Sequence, residues 1–319
     1  MSKIFITRQL PETAIAKLKD SFEVEMWPYE DHPVTREELI KQAEDADALL
    51  TMLTETVDEE VFQKAKRLKV VANLAVGFDN IDLEVAKKHD VTVTNTPDVL
   101  NETTADLTFA LLLATARRIP EAVDYIKDNK WNTWSPFLLA GSDVHHKTLG
   151  IVGMGNIGQA VAKRATGFNM NILYHNRSRK KQAEVELGAS YVSFDELITQ
   201  SDFVVCMTPL TDETKDMFDE HVFQKMKKSA IFINSSRGGV VDEEALYQAL
   251  KNGEIKAAGL DVFKNEPINH EHPLLELDQV VALPHIGSAS VDTRMKMVEL
   301  AVGNIDRVLN GREPLSPVH

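Results

Sequence analysis

The chain has 319 residues, enough for two domains of ordinary size, and 43% hydrophobic with 26% charged residues marks it as globular rather than disordered. A formal charge of −14 at pH 7 argues against nucleic acid or an anionic membrane surface as the main partner. The one cysteine, Cys206, excludes an internal disulfide and a cysteine-based metal cluster, and suits a reducing cytoplasmic setting.

The N-terminal run Lys3–Thr7 is short and strand-like, with no signal-peptide or membrane-spanning pattern, and a helical pattern follows at Glu12–Lys19. Apolar Glu23–Trp27 precedes a helix at Arg36–Glu44, and Ala48–Met52 precedes one at Glu59–Lys66. Runs at Lys69–Ala75 and Val91–Asn95 complete five strands, and this alternation predicts a parallel sheet with helices on both faces. From about Glu102 to Arg117 comes a long Ala- and Leu-rich helix, apolar nearly all round and expected to be buried. After the aromatic segment Trp131–Phe137, a second βα series has strands at 149–152, 171–175, 203–207, 230–234, 257–261 and 280–283. A final helix, Asp292–Leu309, is expected to return to the first domain.

Between the strand ending at Val152 and the helical run from Gln159 lies Gly153-Met154-Gly155-Asn156-Ile157-Gly158. In this strand–turn–helix setting the first glycine makes the tight turn and the second admits a pyrophosphate to the backbone. The third allows close helix packing, and the helix N-terminus favours the anion. Gly153, Gly155, Asn156, Ile157 and Gly158 are therefore candidate NAD(P)-binding residues. An NAD-specific site places an acidic residue at the end of the next strand to bind the ribose 2′-OH. Here Asn176 stands there, followed by Arg177, Ser178 and Arg179, and no carboxylate comes before Glu184. A neutral Asn with two guanidiniums and a hydroxyl suits a 2′-phosphate, so NADP(H) is expected to be preferred with NAD(H) possible.

The fold class expected is α/β: two Rossmann-like or flavodoxin-like domains with parallel sheets, facing each other across a cleft. The NAD(P)-binding domain, 100–286, is expected to be inserted into a substrate domain formed by 1–99 and 287–319.

Three more strand ends carry polar groups: Arg237 in Asn234–Gly239, Glu266 in Asn265-Glu266-Pro267, and His285 in Pro284–Ser288. Ligands of open α/β sheets sit beyond the carboxyl ends of the strands, so these three residues are placed to converge on the nicotinamide. A guanidinium can grip a carboxylate and polarise a carbonyl, and a histidine can protonate the carbonyl oxygen. A carboxylate can orient that histidine and favour its charged form. Taken singly, Glu266 also reads as a loop carboxylate, Arg237 as a surface residue and His285 as a satisfied core histidine. Behind the fingerprint they jointly favour hydride transfer to a 2-keto acid. His145-His146 and His270-Glu271-His272 lack ligand spacing, so no metal site is expected.

The succession GMGNIG (153–158), NSSRGG (234–239), GLDVF (259–263), NEP (265–267) and LPHIGSAS (283–290) resembles the D-isomer-specific 2-hydroxyacid dehydrogenases. The resemblance spans essentially the whole chain, including NLAVGFDN (73–80) and NTPDVL (95–100). Within the family, TPDVL (96–100) and WNTWSP (131–136) are most similar to the glyoxylate/hydroxypyruvate reductases. The resemblance implies that Arg237 binds the substrate carboxylate and carbonyl, that Glu266 and His285 form the acid–base pair, and that Val76 and Gly77 amides hold the carboxylate. It also implies that Ser288 lines the substrate and that Asp261 contacts the nicotinamide carboxamide. Thr104, Ser235 and Gly287 would lie near the cofactor, with Thr208 and Pro209 at its adenosine end. It implies a homodimer in which Trp134 bounds the partner's substrate pocket. D-lactate or D-3-phosphoglycerate dehydrogenase, and a nucleotide-sensing corepressor-like protein, are the alternatives. Since the sequence stops at His319, an added regulatory domain is not expected.

Overall fold

Five short strands, β1 (Lys3–Ile6), β2 (Glu23–Met26), β3 (Ala48–Thr51), β4 (Val70–Asn73) and β5 (Thr92–Thr94), alternate with helices α1 (Glu12–Lys19), α2 (Arg36–Ala43), α3 (Glu59–Lys64) and α4 (Leu83–Lys88). Helices α5 (Asn101–Ala116) and α6 (Ile119–Lys127) follow. Next come β6 (Thr148–Val152), α7 (Asn156–Thr166), β7 (Asn171–His175), α8 (Lys181–Leu187), β8 (Ser190–Tyr191), α9 (Phe194–Gln200) and β9 (Phe203–Cys206). The series continues with α10 (Glu220–Lys225), β10 (Ile231–Asn234), α11 (Glu243–Lys251), β11 (Ala257–Leu260), β12 (Val280–Ala282) and α12 (Val291–Leu309). This computed structural model describes residues 1–318. They form two units, one of residues 1–100 with 290 onward and one of 101–289.

The first unit holds a parallel five-stranded sheet in the order β2-β1-β3-β4-β5. Its central strands are covered on both faces, which is why β3 and β4 read as continuous apolar runs rather than alternating ones. Thr35, Asp58 and Asp82 cap α2, α3 and α4 by accepting the amides of Glu38, Val61 and Val85. Beyond the carboxyl ends of the strands lies a polar network. The buried Glu55 carboxylate accepts from Thr7 Oγ1 at 2.6 Å, Thr54 Oγ1 at 2.6 Å, the Met52 amide at 2.7 Å and Arg8 at 3.2 Å. Asn80 donates to the Met52 and Glu55 carbonyls, while Asn73 donates to the Gly77 carbonyl and Asn95 to the Val76 carbonyl. The Val76–Gly77 turn is thus held by side chains from its own unit.

The second unit holds seven parallel strands in the order β12-β11-β10-β9-β6-β7-β8. Alternation along the strands divides them cleanly between two helical layers. Leu149, Ile151, Phe203, Val205, Ile231 and Ile233 join Phe109, Leu111 and Leu112 of α5 in one core. Val152, Val204, Cys206 and Phe232 point the other way, into a core with Phe218, Phe223 and Leu246. Strand order reverses between β6 and β9, which makes that pair the topological switch point where such sheets bind ligands.

The breaks between units fall after Leu100 and Ala289, one and three residues beyond the expected positions. Residues 287–289 stay with the second unit because the Ile286 amide bonds Asp261 and the Ala289 amide bonds the Ile286 carbonyl. The run 69–75 forms a strand only over 70–73, and the two-residue β8 and helix α6 were not anticipated. As expected, α5 is largely buried, whereas α6 exposes Ile119, Val123 and Ile126. Among the described residues, no helix is long and apolar enough to cross a membrane, and no His, Cys, Asp or Glu cluster is arranged to hold a metal ion.

Removing the Glu55 carboxylate leaves Arg8 without its buried counter-charge. Glu55→Ala should lower the stability of the first unit by about 3 kcal/mol, read as a drop in its urea midpoint.

Candidate active site

The Gly-rich turn joins β6 to α7 at the switch point. Gly153 adopts φ 104°, and a Cβ there would lie 2.6 Å from the Met207 carbonyl carbon of the neighbouring strand end. At Gly158 a Cβ would meet the Gly153 carbonyl oxygen at 2.2 Å, so the helix rests directly on the turn. A Cβ at Gly155 would meet nothing within 4 Å. Two glycines are therefore required by packing, and the third leaves open space at the helix N-terminus, where Asn156 and Ile157 begin α7.

After β7, the Asn176 side chain donates to the Ser178 carbonyl and closes a tight turn. Arg177, Ser178 and Arg179 are exposed along it. Glu184, one turn into α8, folds back onto Arg179 with contacts of 2.7 and 2.8 Å. The loop thus carries a carboxylate that its linear sequence places eight residues past Asn176. After β9, Thr208 Oγ1 lies 3.5 Å from the buried Cys206 Sγ, which is 3.3 Å from Ser236 Oγ. Burial pushes the Cys206 thiol pKa up, against hydrogen bonds from Ser236 and Thr208. Pro209 is exposed beside Thr208, and its carbonyl accepts from Thr214.

Arg237 follows β10 in a loop folded by Asn234, whose Oδ1 accepts the Ser236 amide at 3.0 Å and whose Nδ2 donates to the Arg237 carbonyl at 3.0 Å. Gly238 then passes against the Glu266 loop so closely that a Cβ would fall 1.8 Å from the Phe263 carbonyl carbon. Glu266 Oε1 accepts the Phe263 amide at 2.8 Å, and Glu243 of α11 accepts the Lys264 amide. The other Glu266 oxygen accepts from His285 Nδ1 at 2.6 Å. His285 sits in left-handed backbone at φ 54°, fixed on its far side by the Ile286 amide donating to Asp261 Oδ1 at 2.8 Å. Histidine is among the few residues that enter this region readily.

Burial alone would raise the Glu266 carboxyl pKa. The hydrogen bond and charge of His285, the Phe263 amide and the charge of Arg237 outweigh it and hold the carboxyl below the ordinary carboxylate range. Asp261 goes the other way: burial pushes it up, and the charge of Glu266 adds to the rise.

Arg237, Glu266 and His285 therefore meet at adjoining strand ends of one unit. Gly287 and Thr104 lie beside Asp261, since a Cβ on Gly287 would be 3.2 Å from Asp261 Oδ2 and 3.3 Å from Thr104 Cγ2. Asp261 Oδ2 and Ser235 Oγ are buried without a hydrogen-bond partner. Orphaned buried acceptors and donors are costly in a finished core, so this pair fits the polar end of a nicotinamide nucleotide. Ser288 is half-buried three residues past His285. Val76 and Gly77 belong to the other unit, and Trp134, in the same unit as the cluster, is 77% exposed. Sequence reading missed Gly238, Asn234 and Glu184 as working residues. Asn at a strand end followed by Ser-Ser is a side-chain-turn signal for Asn234, whereas nothing in the sequence marks the Gly238 contact.

The profile of the D-isomer specific 2-hydroxyacid dehydrogenase NAD-binding domain matches residues 109–287. The glyoxylate reductase of Thermococcus onnurineus is 51% identical over 316 residues, 98% of this chain and 94% of that protein. A crystal structure of a Thermus thermophilus protein superposes with a TM-score of 0.93 at 45% identity, covering 99% of this chain and 100% of the other. The NADPH-dependent glyoxylate/hydroxypyruvate reductase of Sinorhizobium meliloti, solved with NADP and malonate, superposes at 0.87 with 32% identity, covering 99% and 96%. The chain belongs to the D-isomer specific 2-hydroxyacid dehydrogenase family. It is an NAD(P)-dependent oxidoreductase of that class.

Because Gly238 sets the spacing between the Arg237 and Glu266 loops, Gly238→Ala should reduce kcat by roughly a hundredfold. Gly239→Ala should be tolerated, since its Cβ would meet only the flexible Leu210 side chain, at 3.0 Å. Steady-state kinetics of the two variants distinguish loop spacing from a general intolerance of side chains here.

Proposed function

We propose that the chain reduces glyoxylate and hydroxypyruvate to glycolate and D-glycerate, with NADPH preferred over NADH. The observation that carries this reading is the 2.6 Å His285–Glu266 pair in the field of Arg237, at the strand ends of a dinucleotide-binding unit. Glyoxylate reductases about 50% identical support glyoxylate as a substrate, and the 32% identical glyoxylate/hydroxypyruvate reductase supports hydroxypyruvate. When bound at the strand ends, a reduced nicotinamide would supply the hydride for the carbonyl carbon. Arg237 grips the substrate carboxylate and polarises the carbonyl, and Ser288 lines the substrate side. With Nδ1 engaged by Glu266, His285 presents Nε2 and donates its proton to the carbonyl oxygen. The Glu266 carboxylate stabilises the imidazolium before that transfer. With the cofactor bound, Asp261, Thr104, Ser235 and Gly287 would form the polar wall beside the nicotinamide, Thr208 and Pro209 would lie toward the adenosine, and Arg177 with Ser178 would receive the 2′-phosphate.

A panel of 2-keto acids assayed with NADPH and NADH in parallel tests the assignment. The two small acids should give the highest kcat/KM, and NADPH should exceed NADH mainly through KM. Preference for a bulkier acid, or equal use of both cofactors, would sink it. His285→Ala should cost on the order of a hundredfold in kcat. Because Glu266 stays ionised below the ordinary carboxylate range, its loss of charge should not limit the rate at mildly acid pH.

We also propose that the protein is a homodimer, with Trp134 serving the partner's substrate pocket. The support is apolar surface left uncovered in the second unit: the Ile119, Val123 and Ile126 stripe of α6, with Trp131, Trp134 and Phe137 following it. Light scattering at micromolar concentration should give twice the chain mass, and a monomer would refute the assembly.

A further inference from the structure

In the turn after β7 the cationic groups are not equivalent. The Nε and Nη2 edge of Arg179 is occupied by the two oxygens of Glu184, at 2.7 and 2.8 Å. Tyr174, whose ring is buried in the core, donates its hydroxyl to Glu184 Oε1 at 2.7 Å and accepts the Lys180 amide at 2.7 Å. The pair is thus anchored from beneath by the last residues of β7 and from the side by the first turn of α8. Its neighbours hold the Glu184 carboxyl at a pKa of about 2, chiefly the Arg179 hydrogen bond and then the Tyr174 hydroxyl. Glu184 is therefore a full negative charge throughout the working range. By contrast Arg177 is exposed, and it lies in the more distant field of Glu213, on the loop after β9.

A bidentate guanidinium edge can serve one oxyanion at a time. A ribose 2′-phosphate reaching Arg179 must displace Glu184 or share the cation with it, and its own charge of about −1.5 to −2 is repelled by the carboxylate. We propose that Glu184 is a specificity-determining residue that restrains Arg179 and so limits the margin by which the 2′-phosphate is favoured over a free 2′-hydroxyl. Phosphate recognition then falls first on Arg177 and Ser178, with Arg179 held in reserve. This rests on the NADPH reading above but is tested apart from it.

The test is equilibrium binding to the full chain by calorimetry, with 2′,5′-ADP and 5′-AMP as probes, so no turnover is needed. Gln is close in shape to Glu and can still accept from Tyr174, and the site is a surface helix turn, so E184Q should fold normally. E184Q should bind 2′,5′-ADP about three- to tenfold more tightly, with 5′-AMP unchanged within about twofold, and the gain should shrink at high salt. The double variant E184Q/R179A should lose the gain, because the freed guanidinium is what delivers it. Unchanged or weaker 2′,5′-ADP binding by E184Q would overturn the proposal, the latter meaning that Glu184 aligns Arg179 for the phosphate. A gain that survives in E184Q/R179A would also overturn it, leaving only a diffuse charge effect. If the wild-type chain binds both probes equally while E184Q gains, the NADPH reading fails and the restraint stands. If the wild type favours 2′,5′-ADP and E184Q does not move, the reverse holds.

Discussion

In the second unit every strand runs parallel and in near-level register, and the chemistry depends on that constraint. Val152 stands opposite Cys206, Cys206 opposite Asn234, Asn234 opposite Leu260, and Leu260 opposite Ala282. The strands therefore end along one edge, and the Gly153, Thr208, Arg237, Glu266 and His285 loops all leave from it. An antiparallel strand at any of these places would send its loop to the opposite edge. Continuous burial on both faces stabilises this arrangement, and it confines polar side chains to the strand ends, where the sheet stops.

Along that edge, loops are spaced by backbone contact rather than by side chains. Gly153 lies against Met207, Gly158 against Gly153, and Gly238 against Phe263. Each contact is closer than any Cβ permits, so the loops cannot separate or slide without losing packing made by main chain. On this rigid frame the side-chain hydrogen bonds are short and directional. Glu266 uses one oxygen on its own loop and the other on His285, so the carboxylate transmits the position of one strand end to the imidazole of another. The left-handed backbone at His285 is held in place by Asp261, which leaves β11 on the same loop as Glu266.

The two acidic residues nearest the imidazole respond oppositely to similar surroundings. Glu266 has a cation and two donors, and these outweigh burial. Asp261 keeps one oxygen unpartnered and faces the charge of Glu266, so burial dominates. One site thus keeps a firmly ionised carboxylate and, beside it, an acid whose charged form is disfavoured.

Local pattern was enough to determine every strand but the short, exposed β8, together with the αβ alternation and the dinucleotide turn, because burial on both faces and glycine spacing are written in neighbouring residues. Arg237, Glu266 and His285 were legible as candidates for the same reason: each follows a recognisable strand, and strand ends are where such sheets place their ligands. Tertiary structure decided what depends on distance in space rather than along the chain. It brought Glu184 back onto Arg179 across a helical turn, so a loop that reads as purely basic is partly neutralised. It laid Gly238 on the Phe263 backbone, a contact between residues 25 positions apart that neither segment announces. It buried α5 and left α6 exposed, although both are rich in apolar residues, because only α5 has strands beneath it in the core. Sequence sets which groups a chain can offer at each strand end; the register of the sheet and the closeness of its loops decide which of them can touch.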